Sequence, residues 1–151
     1  MELNLIYDKI YRYVFFKVRD TELAEDITQE TFLRHIEKKG TMANYDMRYL
    51  YAIAKNLCID EFRRTKEYTI PEVYEEMSEF PENEIIINIE LRRALLKMDK
   101  ESQELLLLRY VNEEPIATLC TLYGNSRFAI YRKLKKAEKE LREILEVSGN
   151  E

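Results

Sequence analysis

Between Arg127 and Arg142 the chain sets seven basic side chains, Arg127, Arg132, Lys133, Lys135, Lys136, Lys139 and Arg142, against two acidic ones. Cations gathered along one helix displace counterions from a nucleic-acid backbone, so the chemistry on offer is neutralisation of phosphate. The segment follows a turn, Gly124-Asn125-Ser126, and a short apolar stretch, PIATLCTLY. Helix, three-residue turn with glycine and second basic helix is the outline of a helix-turn-helix. A terminal helix rich in Lys and Glu is also simply soluble, and spacing alone leaves both readings open. The second stretch of interest is YLYAIAKNLCIDEFRR, residues 49–64. Leu50, Ile53, Ala54, Leu57 and Phe62 form an apolar stripe at helical spacing, and Lys55, Asn56, Asp60, Arg63 and Arg64 form the opposite face. Such a charged face also suits an ordinary bundle helix.

Other chemistries lack their parts. His35 is the single histidine, and Cys58 and Cys120 stand alone in helical patterns with no CxxC, so no metal site is expected. The thiols read as reduced and buried, and His35, at the polar end of a helix, as solvated or capping. No motif combines a nucleophile, a base and an orienting acid, and no glycine-rich loop could cradle a phosphate. Neither an enzyme nor a cofactor is expected.

These stretches need a scaffold, and composition says which kind. With 46% hydrophobic residues among 151, and only three glycines and three prolines, the chain reads as folded and all-α. It contains no apolar run of transmembrane length, and the start MELNLIYDKIYRYV lacks the basic end and apolar core of a signal, so a cytoplasmic protein without membrane insertion is expected. The net charge of −5 is unevenly spread: residues 1–66 carry +1, residues 67–91 carry −8 with no Lys or Arg, and residues 92–151 carry +2. All the excess acid lies in the middle.

The first expected helix covers residues 3–18, with Leu3, Ile6, Tyr7, Ile10, Val14 and Val18 on one face. Thr21 caps the next, which ends at Gly40 and buries Leu23, Ile27, Phe32 (or Thr31) and Ile36. Asp46 caps a third, starting near Met47. Residues 67–83, acidic and proline-containing, read as a linker. A helix resumes near Glu82, with Ile85, Ile86, Ile89, Leu91, Leu95 and Leu96 along it. Asp99 caps KESQELLLLRYVNEE, Pro115 opens the short helix ending at Gly124, and Ser126 caps the basic one.

The segments AEDITQETFLR (24–34), YLYAIAKNLCIDEFRR (49–64), ESQELLLLRY (101–110) and the terminal helix-turn-helix together resemble a bacterial RNA polymerase sigma factor of the sigma-70 family. More narrowly, they resemble its extracytoplasmic function group, which keeps the second and fourth sigma domains. The resemblance covers nearly the whole chain. It implies two small helical domains, region 2 over 1–66 and region 4 over 84–151, joined by the acidic linker 67–83. It also implies a protein that binds core polymerase, at its beta and beta-prime subunits, and promoter DNA, and that an anti-sigma factor regulates. Asp26, Gln29, Glu30, Phe32 and Leu33 would lie on the helix that binds the polymerase clamp. Asn56 would stand beside the pocket for a flipped base of the minus-ten element, with the Thr41–Met47 loop as its other wall. An amide both donates to and accepts from a base edge. Lys55, Arg63 and Arg64 would neutralise the neighbouring backbone, and Tyr49 holds a position where an aromatic is usual. The acidic linker would suit a positively charged RNA-exit path, and equally a solvated tether.

The second half departs from the family pattern. Ala117 and Thr118 replace two acidic residues, Asn125 an apolar one, and the basic helix opens SRFAIYRKL without the usual small, hydroxyl-rich run. Ser126, Arg127, Tyr131, Arg132, Lys135 and Lys136 are the expected contacts to the minus-35 element, with Phe128, Ile130 and Leu134 turned mostly to the core. Two other functions compete. One is a sigma-like adaptor or anti-sigma target that holds polymerase or a regulator without productive promoter recognition. The other is a dimeric helix-turn-helix repressor, which would not need the motifs at 24–34 and 49–64.

Overall fold

A computed structural model describes residues 2–66 and 89–149 of the chain. The linker expected at 67–83, and the helix start near Glu82 with Ile85 and Ile86, lie outside the described residues. The chain divides into two compact units, Met1–Pro81 and Glu82–Glu151. All regular structure among the described residues is helical, and none of the helices is long and apolar enough to cross a membrane.

The first unit packs α1 (Glu2–Val18), α2 (Thr21–Lys39) and α3 (Met47–Lys66) against one another. At its centre the Tyr13 and Tyr51 rings meet edge to face, 5.2 Å between centroids, among fully buried Ile10, Val14, Leu50, Ala54 and Cys58. Leu3 and Phe62 were expected on the buried stripes; they lie half-exposed near helix ends. Arg19 turns the chain between α1 and α2 with a positive φ of 57°, and its Nε donates to the Phe16 carbonyl at 3.2 Å. Asp20, not Thr21, caps α2, accepting the Leu23 N–H at 3.0 Å. Gly40 ends the helix at φ 82°, where a side chain would be strained.

The inner face of α2 agrees with the expected one at Ile27 and at Thr31, the alternative to Phe32, and differs elsewhere. Ala24, Ile27, Thr28, Thr31 and His35 are buried, while Leu33 and Ile36 are exposed and Leu23 and Phe32 only half-buried. Burial of the threonines is made tolerable within the helix itself. Thr28 donates to the Ala24 carbonyl at 2.7 Å and Thr31 to the Ile27 carbonyl at 2.8 Å, so neither hydroxyl is left unsatisfied.

The second unit comprises α4 (Ile89–Leu96), α5 (Lys100–Leu106), α6 (Ile116–Tyr123) and α7 (Arg127–Gly149). The single helix expected from Lys100 onward instead widens into a π-helical turn at Leu107–Val111, closed by the Asn112 N–H on the Leu107 carbonyl at 2.9 Å. Arg109 then donates to the Glu114 carbonyl at 3.0 Å and holds the chain through Glu113, whose φ is 57°. Met98, Leu106 and Ala137 form a core cluster joined by Leu95, Leu141 and Ile144. Tyr123 donates to the buried carboxylate of Glu104, which fixes α6 on α5. Neither Cys58 nor Cys120 forms a disulfide.

Asp99 caps α5 with both oxygens: the Ser102 hydroxyl donates to Oδ1 at 2.8 Å and the Ser102 N–H to Oδ2 at 3.1 Å. The Ser102 hydroxyl contact is the main cause that holds the Asp99 carboxyl below its usual range. A carboxylate depressed in the folded state stabilises the fold above its unfolded pKa, near 3.8, and that stability is lost as pH falls through the folded value. Asp99→Ala should therefore lower stability at neutral pH by about 1 kcal/mol, with less loss on acidification below pH ~4. Thermal unfolding of both proteins across that range checks it, and equal acid slopes would refute the assignment.

Candidate functional site

Three surfaces carry the residues singled out in the sequence. On α2, Asp26, Glu30 and Leu33 fall at i, i+4 and i+7, with Gln29 beside them. Asp26, Gln29 and Leu33 are exposed, Leu33 at 56%, and Glu30 is half-buried and paired with Arg34 at 2.9 Å. Phe32 is set apart from this group. Its ring turns inward and stacks on Tyr7, centroids 5.6 Å apart. Gln29 reaches the same tyrosine by a side-chain hydrogen bond, while burial raises the Tyr7 pKa. Ile36, 40% exposed, joins Leu33 and was missed because its apolar character marked it for the core.

The second surface is the open side of α3 and the loop before it. Asp46 caps α3 as expected, its Oδ1 accepting the Arg48 N–H at 3.1 Å and the Tyr49 N–H at 3.4 Å. Tyr49, Ala52 and Asn56 then repeat along one side of the helix, Tyr49 half-buried and the other two exposed. Over seven residues Tyr49 and Asn56 are about 10 Å apart along the axis, with the small Ala52 between them. Tyr49 borders an open depression of about 560 Å³ shared with Glu30, Arg34, Glu37 and Lys38, so the surface runs on into that of α2. Lys55 is half-buried. Arg63 and Arg64 are exposed but have acidic neighbours: Arg63 is 4.0 Å from Asp60 and Arg64 is 2.6 Å from Glu61.

The third surface is the start of α7. Gly124 ends α6 at φ 66°, and Ser126 caps α7 by accepting the Ala129 N–H at 3.2 Å. Arg127, Tyr131, Arg132, Lys135 and Lys136 are all exposed, while Ile130, Leu134 and Ala137 are buried on the opposite side. Lys133 faces sideways, bonded to Asn125 at 2.9 Å and Glu101 at 3.3 Å. Phe128 departs from expectation. It was placed toward the core but is 79% exposed, because Ile130 and Leu134 already fill the contact with the rest of the unit. No group of acids, thiols and histidine suited to a metal occurs among the described residues.

Residues 3–68 match the family described as Sigma-70 region 2. The chain is 30% identical over 150 residues to the ECF RNA polymerase sigma factor BldN of Streptomyces coelicolor, a match covering 91% of this chain and 56% of that protein. It is 25% identical to the RNA polymerase sigma factor YlaC of Bacillus subtilis, over 96% of this chain and 90% of that one. The first unit is thus similar to Sigma-70 region 2, and the chain to extracytoplasmic function sigma factors. The sigma factor RpoE of Bartonella quintana, solved with the anti-sigma factor NepR, has the same fold, with a TM-score of 0.70 at 19% identity over 97% of this chain and 95% of that one.

The region 2 match takes in the α2 and α3 surfaces and one residue the sequence did not mark as structural, His35. It is fully buried, not solvated. Its Nε2 accepts the Asp46 N–H at 3.2 Å, and its ring lies 5.7 Å from that of Tyr49. Lys39 sits over the other side of the system, 5.6 Å from the Tyr49 centroid and 4.0 Å from Asp46. Since Nε2 accepts, the proton of neutral His35 is on Nδ1, which is buried with no hydrogen-bond partner among the described residues. No local pattern marked this role, because the partner of His35 lies across the loop.

Burial first, and Lys39 second, push the His35 pKa below its usual 6.5, against the opposing pull of Asp46. The unfolded chain then takes up the proton first, so this contribution to stability is present above pH ~6.5 and lost below it. Unfolding midpoints should fall from pH ~7.5 to ~5.5 in the wild-type chain and fall less in His35→Gln. Parallel curves for the two proteins would show that His35 does not titrate on unfolding.

Proposed function

We propose that this chain is a transcription-initiation sigma factor that binds core RNA polymerase, recognises minus-ten and minus-35 promoter elements, and is itself held by an anti-sigma protein. The observation that carries the reading is the continuity of two surfaces within the stretch that matches Sigma-70 region 2. The Asp26–Glu30–Leu33 face of α2 would engage the polymerase beta-prime clamp, with beta contacts elsewhere. The depression beside Tyr49 leads from it to the Asn56 side of α3, where an unpaired base would be held.

Each residue then has a physical task. Asn56 donates to and accepts from the edge of a flipped base, and Tyr49 offers a ring beside the loop. Lys55, Arg63 and Arg64 balance phosphate, with Asp60 and Glu61 steering the two guanidinium groups until DNA displaces them. Ser126, Arg127, Tyr131, Arg132, Lys135 and Lys136 address the upstream duplex, where Arg can bond guanine bidentately. Residues 1–66 and 84–151 act as the two binding domains, and the acidic stretch 67–83 as the connection between them. The work is done by binding energy, with opening driven by capture of the unpaired base. The RpoE relative was solved with an anti-sigma factor, which supports a similar regulator here.

A second reading keeps polymerase or anti-sigma binding without productive promoter recognition. It is favoured by the altered helix-turn-helix: Thr118, where the family has an acid, is buried, and Ala117 is half-buried.

Transcription from a genomic fragment library by core polymerase plus this chain separates the two. Transcripts sharing an upstream pair of elements support initiation; core binding without specific starts supports the adaptor. Glu30→Lys should weaken core binding about tenfold or more, since it reverses one charge and breaks the Arg34 pair. Asn56→Ala should leave core binding intact and slow promoter opening about tenfold, the worth of one base-edge contact. Normal opening by Asn56→Ala would remove the amide from the pocket.

A further inference from the structure

Phe128 is, at 79%, the most exposed large apolar side chain among the described residues. It stands in the first turn of α7, just after the Ser126 cap. Phe128, Tyr131, Arg132 and Lys135 follow one another at i, i+3, i+4 and i+7, on the side away from buried Ile130, Leu134 and Ala137. The unit therefore gains little from this ring, and water surrounds it. What shares its face is mostly cationic.

That combination selects an occupant. An apolar groove on a protein would meet a cluster of apolar side chains, whereas here a phenyl ring and the Tyr131 phenol are framed by Arg127, Arg132, Lys135 and Lys136. The DNA major groove presents the matching surface, phosphates along both rims and, at each thymine, a 5-methyl group projecting inward. The first turn of the second helix is also the part of a helix-turn-helix that reaches base edges. We propose that Phe128 is a specificity-determining residue that reads a thymine methyl in the upstream promoter element. The inference rests on the function proposed above. The ring has no hydrogen-bonding group, so it distinguishes thymine by the methyl alone, and the preference comes from a residue type that the family's usual hydroxyl-rich opening does not supply.

The test uses the full chain bound to core polymerase and a promoter duplex recovered from the genomic library with the wild-type holoenzyme. Thymines of the upstream element are replaced one at a time by deoxyuridine, which removes only the methyl. Wild type should lose about fourfold in affinity at one position, the worth of one buried methyl. Phe128→Ala should bind the thymine and uridine duplexes equally there, with core binding and minus-ten opening unchanged. The inference is overturned if Phe128→Ala keeps the wild-type thymine-to-uridine ratio, or if no upstream thymine is methyl-sensitive although the element is protected. Loss of core binding in Phe128→Ala would overturn it too, by placing the ring on protein. A holoenzyme that protects no upstream element would sink the function reading and the inference together.

Discussion

Helix α2 meets its neighbours through Ala24, Ile27, Thr28, Thr31 and His35, and this leaves Leu33 and Ile36 facing outward. The arrangement works because most polar atoms of the inner face are satisfied without water, His35 Nδ1 being the exception. The two threonines return their hydroxyls to carbonyls one turn back, and His35 accepts a backbone N–H from the loop. A helix that packs through small and polar groups can approach α1 and α3 closely and still offer larger apolar side chains to another molecule. The exposed apolar side chains have the charged Asp26, Glu30 and Arg34 as neighbours on the helix.

His35 also couples two surfaces. It is on α2, yet the groups it touches or faces, Asp46 and Tyr49, start α3 and bound the loop that would form one wall of a base pocket. Asp46 is both the partner of His35 and the cap of α3. Asp46 thus joins the end of the loop and the start of α3 to His35. In the second unit Lys133 has a comparable position, bonded to the turn at Asn125 and to α5 at Glu101.

Much of this was legible in the sequence where the chemistry is local. Asp46, Asp99 and Ser126 as caps, and Gly40 and Gly124 as ends, follow from side chains bonding within a turn or from a left-handed backbone. The inner face of α2 was legible in part: Ile27 and the alternative Thr31 are buried as expected, but a hydropathy stripe passes over Thr28, which back-bonding makes a core residue, and over Ala24 and His35. Cap choice between Asp20 and Thr21 differed by one residue, both being good acceptors. Burial of His35 depends on Asp46, 11 residues away and across a turn. Phe128 was assigned inward because it is apolar, but the inner side of α7 was already filled. The π-helical turn at Leu107–Val111 lies in a run apolar nearly all round, where a shift of register leaves the pattern unchanged.

The tie from Lys133 to Asn125 and Glu101 bears on how tightly a duplex can be held. A helix that swung freely about its turn would lose orientational entropy when docking, and part of each contact would be spent in stopping the motion. Here Lys133 bonds α7 both to the turn before it and to α5. In the proposed complex the aromatic and cationic side chains at the head of α7 would meet a groove with their bearing already set, and an incorrect sequence would be harder to accommodate by tilting the helix. Discrimination between sites would then be sharpened by stiffness as well as by contact.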